Sequence, residues 1–375
     1  MFPNISGSTD TGGTNSSLQT GTVDGPITWV TLVERFTIPV ICVLGLVGNT
    51  CSIVIFLQKS LRKKSCSLFL ASRSISDNGF ILILLIVWVT SALDLKLSRI
   101  SGICQSLIFL TYVFGCLSVW LVVFVTIENY VRICKPYMVK RICKASNAKG
   151  AVVILFICVL CSYNFPLWTF SDECVPNEKH YSFIRIMVYA DSILTLVFPT
   201  LIMSVLMTKI AMTSLQACRF RRRLSLTSVQ RKSSSPMTKV TTMLLAVTLI
   251  FFILNMPSHV VRLRLMVIAF TEDESGITGS LDLTLHSISQ LIYYLSLAIN
   301  IFVYYFFGST FRKAFFKLFH WNGKYRCIQV DSSGFLETRC QGSSAFRKEL
   351  VENNVFSSNT KDNCVYFQRR KVSTL

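Results

Sequence analysis

The side chains that could do chemistry in this chain are ionisable groups set inside long apolar runs. Arg73 and Asp77 stand four residues apart in one run, Glu128 closes a second and Asp191 lies within a third. His259, Arg262 and Arg264 crowd the end of a fourth. A charge in such a setting costs roughly 3 kcal/mol or more unless it is partnered, so each marks a place of ion pairing or ligand recognition. Arg73 and Asp77 have helical i, i+4 spacing and could simply satisfy each other. Bond-making chemistry is not indicated. The 4 histidines are scattered without a His-x-x-x-His pair, and no His/Asp/Glu or Cys cluster has metal-ligand spacing. The expectation is a non-enzyme with no metal and no cofactor.

The elements that must position these groups are membrane spans. The chain is 51% hydrophobic and 15% charged, with apolar residues in blocks rather than at amphipathic spacing. Seven blocks are long enough to cross a bilayer, at approximately 30–57, 67–93, 102–131, 150–169, 183–210, 239–268 and 283–306. The clearest runs from Cys104 to Pro136, with no charged residue between Gln105 and Glu128. At about 1.5 Å per residue, Cys104 and Asn129 lie roughly 37 Å apart, enough to span about 30 Å of hydrocarbon. The fold class expected is all-α, a seven-transmembrane helix bundle.

The net charge of +19 is informative through its location. Connectors 58–66, 132–149 and 209–239 hold eighteen Lys/Arg and no acid, whereas 94–103, 170–185 and 269–282 hold four Lys/Arg against eight acids. The positive-inside rule puts the first set in the cytoplasm and the N-terminus outside, in a multi-pass plasma-membrane protein. No soluble domain is left to carry a nucleic-acid interface, so no nucleic acid is expected. Cys104 and Cys174 face the oxidising side and are expected to be joined, the alternative being two free thiols.

Outside the spans, residues 1–29 read as a disordered extracellular tail, with glycosylation patterns at Asn4 and Asn15 and no signal peptide expected. The bundle occupies 30–307. Residues 308–320 place Phe311, Phe315, Leu318 and Phe319 on one face, with Arg312, Lys313 and Lys317 elsewhere. That suits a short amphipathic eighth helix on the inner leaflet, with membrane lipid as its partner. Residues 321–375 read as a disordered cytoplasmic tail, with Cys327 and Cys340 open to palmitoylation. Ser373, Thr374 and Leu375 have the form of a ligand for a PDZ-type partner. In the third inner connector, Arg221-Arg222-Arg223-Leu224-Ser225 is either a basic-directed kinase site or a solvated loop near anionic lipid.

Several marks in this order resemble the rhodopsin-like (class A) G-protein-coupled receptors, over roughly residues 30 to 320. They are Gly48-Asn49, Asp77, the Cys104/Cys174 pair, Glu128-Asn129-Tyr130 with Ile133-Cys134-Lys135-Pro136, the prolines Pro166, Pro199 and Pro257, and Asn300-Ile301-Phe302-Val303-Tyr304. Asn255-Met256-Pro257-Ser258-His259 is similar to the sixth helix of invertebrate FMRFamide- and myosuppressin-type neuropeptide receptors. The resemblance implies two interconverting helix arrangements, with a ligand at the outer ends and a heterotrimeric G protein, and arrestin, at the inner ends. Asp77, Glu128, Asn129, Tyr130, Asn255, Pro257, Asn300 and Tyr304 would be the switch residues, helix six pivoting at Pro257.

The departures are specific. The motif arginine is Asn129, the sixth-helix Trp is Asn255, the fourth-helix Trp is Phe156, the seventh-helix Pro is Ile301 and the fifth-helix Tyr is Met207. Arg73 and Ser74 stand where the family has Leu-Ala, which raises the expectation that Arg73 pairs with Glu128 in place of the missing arginine. The position of the aminergic Asp is Thr111, and that of the retinal lysine is Tyr294, so neither ligand class is expected. Thr111, Tyr112, Asp191, His259, Arg262, Gln290 and Tyr294 are the expected ligand-binding set. A cavity with an acid and bases suits a peptide carrying an Arg and an amidated or carboxylated end, unless Asp191 and Arg262 only pair with each other. Glu272-Asp273-Glu274 could steer such a cation. The rival readings are a chemosensory receptor, a weakly coupling receptor suggested by Asn129, and a transporter, for which no repeat is visible.

Overall fold

The computed structural model describes residues 26–95, 102–171, 175–225, 236–271, 280–319, 327–330, 336–338 and 365–366. Asn4, Asn15, Cys174, Glu272-Asp273-Glu274, Cys340 and Ser373–Leu375 lie outside the described residues, as do the side chains of Arg262 and Cys327. Among the described residues, six helices are long and apolar enough to cross a membrane, and the bent pair Thr284–Ala298 and Asn300–Phe307, at 49°, makes a seventh when taken as one span. The expected seven spans are therefore all helical.

The first three spans are Pro26–Phe56, Ser65–Ala92 and Ile103–Cys134. The fourth is Ala145–Ser162, continued after a break by Pro166–Thr169. Pro166 has no N–H to give Ser162, so the α-ladder stops there, and Tyr163 falls in the break. The fifth span is Tyr181–Ser192, a π-helical turn Ile193–Val197, and Phe198–Ser225. The π turn sits immediately before Pro199, whose missing N–H leaves the carbonyl four residues back without its ladder partner. The sixth span, Pro236–Thr271, runs helical through Pro257.

The third span is the hub, packing against the second, fourth, fifth and sixth. Val119, Val122 and Val123 meet Met203 of the fifth span and Phe251 of the sixth. A second cluster joins Ile41 and Cys42, Phe80, Ile81 and Leu84, and Tyr293, Tyr294, Leu297 and Ala298 from the first, second and seventh spans. The opposite helix faces carry exposed Val40, Val43, Val47, Ile154, Ile157 and Ile253, the apolar exterior a bilayer requires.

The seventh span bends without the family's proline. Its break at Ile299 leaves the Leu297 carbonyl outside the regular ladder, and two amides meet it: Asn49 donates at 3.1 Å and Asn300 at 3.2 Å. Close approach of the first span is what lets Asn49 reach. A Cβ on Gly48 would stand 2.8 Å from Ile301 Cγ2, and one on Gly45 2.5 Å from Ile81 Cδ1 and 3.2 Å from the Ala298 Cβ. The bend thus depends on small residues opposite it.

From Thr310 onward the chain forms a second compact unit. Its helix, Ser309–Phe319, stacks Phe311 on Phe315 with centroids 6.4 Å apart, the face expected from the sequence. Within the tail, β1 (Cys327–Val330) pairs antiparallel with both β2 (Leu336–Thr338) and β3 (Val365–Tyr366).

Replacing Gly48 by leucine forces the first and seventh spans apart. We expect a loss of about 1–3 kcal/mol, the usual cost of overpacking, read as a lower thermal midpoint of the detergent-solubilised protein. Gly48→Ala should fall between wild type and Gly48→Leu.

Candidate functional site

Three groups of polar side chains lie along the bundle: one at its centre, one at the inner end of the third span and one in the outer half. At the centre, Asp77 is fully buried. The Ser118 hydroxyl donates to its Oδ1, the Asn300 amide donates to Oδ2 at 2.7 Å, and Arg73 Nε lies 3.6 Å from Oδ2. One carboxylate thus joins the second, third and seventh spans. Arg73 is 1% exposed and has a second partner: its guanidinium carbon lies 5.0 Å from the centre of the Phe251 ring on the sixth span. Tyr304 is buried beside this cluster, edge-on to Phe56 at 5.0 Å.

The sixth span is held at two further points. Ser296 donates to Asn255 Oδ1 at 3.3 Å, and the hydroxyls of Thr126 and Thr248 are 3.2 Å apart. Asn255 also donates to the Phe251 carbonyl at 2.7 Å. Each contact crosses from the sixth span to the seventh or third except the last, which is within the helix.

At the inner end, Glu128 is not paired with Arg73. Its Oε1 accepts from Ser65 Oγ at 2.7 Å and from Arg132, one helical turn further along its own span. The expectation that Arg73 replaces the missing arginine is therefore corrected. Arg73 is four residues from Asp77 and is captured there, while Arg132 has the same spacing from Glu128. Asn129 is fully buried, and neither atom of its amide has a hydrogen-bond partner among the described residues. An unmet buried polar group of this kind costs about 1–3 kcal/mol. Just beyond the span, partial burial raises the Cys143 thiol above its ordinary range and the Glu128 carboxylate adds to the shift. Cys143 is therefore held as a thiol rather than a reactive thiolate.

In the outer half, four of the residues expected to bind ligand lie in two separate groups. Tyr112 stacks on Tyr163 with centroids 5.5 Å apart and planes within 16°, and Tyr163 donates to Asp191 Oδ1 at 2.6 Å. Gln290 donates to the Tyr294 hydroxyl at 2.6 Å, and Tyr294 packs on Phe80. Thr111 turns its hydroxyl to the Leu107 carbonyl at 2.8 Å, and His259 is half-buried on the sixth span. Above these, the fourth-to-fifth connector folds back as a hairpin: Ser171 N–H donates to Val175, and Gln105 of the third span donates to the Ser171 carbonyl at 3.0 Å. Cys104 beside Gln105 is disulfide-bonded.

The family pattern described as "7 transmembrane receptor (rhodopsin family)" matches residues 48–304. The chain belongs to that family. It is similar to the "FMRFamide receptor" of Drosophila melanogaster, 24% identical over 307 residues that cover 75% of this chain and 53% of that protein. It is also similar to the "FMRFamide peptide receptor frpr-18" of Caenorhabditis elegans, 26% identical over 132 residues, 34% of this chain and 30% of that one. The chain thus spans about half the length, or less, of the curated relatives it matches.

In this rhodopsin-family chain the residues expected to act as switches fall into separate contacts. Asp77 and Asn300 touch, Asn255 reaches Ser296 four residues before Asn300, and Glu128 is clasped at the inner end. Two residues in these contacts were not singled out from sequence. Arg132 carries an i, i+4 signal with Glu128, whereas Tyr163 carries none because its placement arises from the break before Pro166.

The buried pair gives a direct expectation. Arg73→Leu strands the Asp77 carboxylate and should cost about 3–5 kcal/mol, whereas Arg73→Leu combined with Asp77→Leu should recover more than half of that loss. Thermal unfolding of the two single variants and the double variant measures the coupling, and additive losses would show that the pair does not act as a unit.

Proposed function

We propose that this receptor binds an amidated peptide of the FMRFamide kind at the outer ends of spans three to seven and activates a heterotrimeric G protein at their inner ends. The observation that carries the reading is similarity to the Drosophila FMRFamide receptor across 75% of the chain. The outer residues support it chemically: Asp191 offers an anion, while Tyr112, His259, Gln290 and Tyr294 offer aromatic and hydrogen-bonding surface. Arg262 and the acidic run Glu272-Asp273-Glu274 would complete the entry. The receptor would sit in the plasma membrane with its N-terminus outside, glycosylated at Asn4 and Asn15, and with Cys104 joined to Cys174. Arrestin, inner-leaflet lipid and a PDZ-type partner at Ser373, Thr374 and Leu375 would be its further cytoplasmic partners.

Signalling requires the sixth span to leave one arrangement for another. In the arrangement described above it is tied through Phe251 to Arg73, through Asn255 to Ser296 and through Thr248 to Thr126. A peptide shifts the equilibrium only by the difference in its affinity for the two arrangements. Contacts on His259, two residues beyond Pro257, act on the outer lever of that span, and a pivot at Pro257 would move its inner end.

Asn129 favours a second reading, a receptor that binds normally and couples weakly, because a short neutral amide cannot supply the long cationic fork of arginine. Ligand-stimulated nucleotide exchange separates the two. Membranes containing this receptor and a heterotrimeric G protein should show FMRFamide-dependent exchange of guanine nucleotide. Peptide binding without exchange would establish weak coupling, and absence of binding would overturn the peptide reading.

A further inference from the structure

The first and second inner connectors meet at one point. Lys64 and Lys144, both with extended backbone at the starts of the second and fourth spans, form an isolated antiparallel bridge. Residues directly opposite in such a pair send their side chains to the same side, with Cβ atoms about 5 Å apart, and like charges there repel. Both lysines are exposed, as are Arg62, Lys63, Lys140 and Arg141, all within four residues of the bridge. Asn147 holds the second connector in this course, its amide donating to the carbonyls of Arg141 and Ile142 at 3.0 and 3.2 Å. No acid offsets the charge. Segments 58–66 and 132–149 contain neither Asp nor Glu, and the ion pairs among the described residues are Arg73–Asp77 and Arg132–Glu128. Basic side chains thus converge on a contact that their own repulsion opposes.

An anion placed between the two lysines turns that repulsion into attraction. A phosphate monoester carries about −1.5 to −2 charge and three acceptor oxygens, enough to serve both ammonium groups. The phosphodiester common to all phospholipids carries only a single charge. The neighbouring surface indicates where such a phosphate comes from. Lys149 lies near the start of the fourth span, and Val153 and Ile157 follow it at i+4 and i+8 on the same helical face. Both are more than half exposed, so the basic head runs directly into an apolar stripe. Charge at one end and hydrocarbon along the other is the outline of an anionic phospholipid, and clusters of basic residues at the cytoplasmic ends of spans bind such lipids. A soluble phosphate uses the first feature and gains nothing from the second.

We infer that the Lys64–Lys144 bridge is the headgroup site for an inositol phospholipid bearing phosphate monoesters, held in the inner leaflet with its acyl chains along the exposed face of the fourth span. The site is independent of the peptide, and takes from the reading above only that these connectors face the cytoplasm.

Titration of the purified full-length receptor in detergent, read by native mass spectrometry, tests this without reference to orientation or to FMRFamide. The probes are phosphatidylinositol bisphosphate, phosphatidylserine and soluble inositol trisphosphate. The bisphosphate lipid should bind about tenfold or more tightly than either of the others. Lys64→Gln and Lys144→Gln should each weaken it about fivefold, and together about twentyfold or more. Lys64→Glu should bind it more weakly still, yet raise the thermal midpoint of the lipid-free receptor, because an attracting pair replaces a repelling one. That rise also reports a folded variant. Removing two exposed charges elsewhere, by Lys209→Gln with Arg219→Gln on the fifth span, should leave binding within about twofold of wild type. If the bridge and fifth-span variants lose the lipid equally, or if phosphatidylserine or inositol trisphosphate binds as tightly as the bisphosphate lipid, the site is wrong and the peptide reading is untouched.

Discussion

A buried carboxylate in the middle of a helix bundle needs a partner, and most of this receptor's internal order follows from how Asp77 is partnered. Its oxygens take up a hydroxyl from the third span, an amide from the seventh and a guanidinium from its own span. The guanidinium carries the connection further, because its other neighbour is the Phe251 ring on the sixth span. One ion pair therefore touches four of the seven spans. Separating two charges in a medium of low dielectric is costly, so the arrangement that keeps them together is discrete rather than continuously adjustable.

The bend of the seventh span belongs to the same construction. Asn300 can reach Asp77 because the helix breaks at Ile299, and the break is tolerated because Asn49 and Asn300 together meet the Leu297 carbonyl. The missing proline at Ile301 removes the covalent cause of the bend without removing the bend. Small residues at Gly45 and Gly48 and two side-chain amides do that work instead.

The spans and the amphipathic helix were legible in the sequence because they depend on hydropathy, which is a local property. The i, i+4 pair Arg73–Asp77 was legible for the same reason. Pairings between spans were less so: Asn300 lies far from Asp77 in the chain, and only the family resemblance connected them. The sequence alone also allows an Arg73–Glu128 pair, whereas the geometry assigns Glu128 to Arg132 and Ser65. The Tyr163–Asp191 contact was not legible at all, since it depends on a helix break in one span and a π turn in another. Neither irregularity has a residue signature beyond a nearby proline.

The sixth span is held in place from inside by Arg73, through the Phe251 ring, and not only by its packing. Spin labels at the inner ends of the second and sixth spans, with the distance distribution read by pulsed double-resonance spectroscopy without ligand, test this most directly. Replacing Arg73 with glutamine should broaden the distribution and add a population at longer distance, because the amide can still hydrogen-bond Asp77 but carries no charge for Phe251. A distribution indistinguishable from that of the unsubstituted receptor would contradict the account.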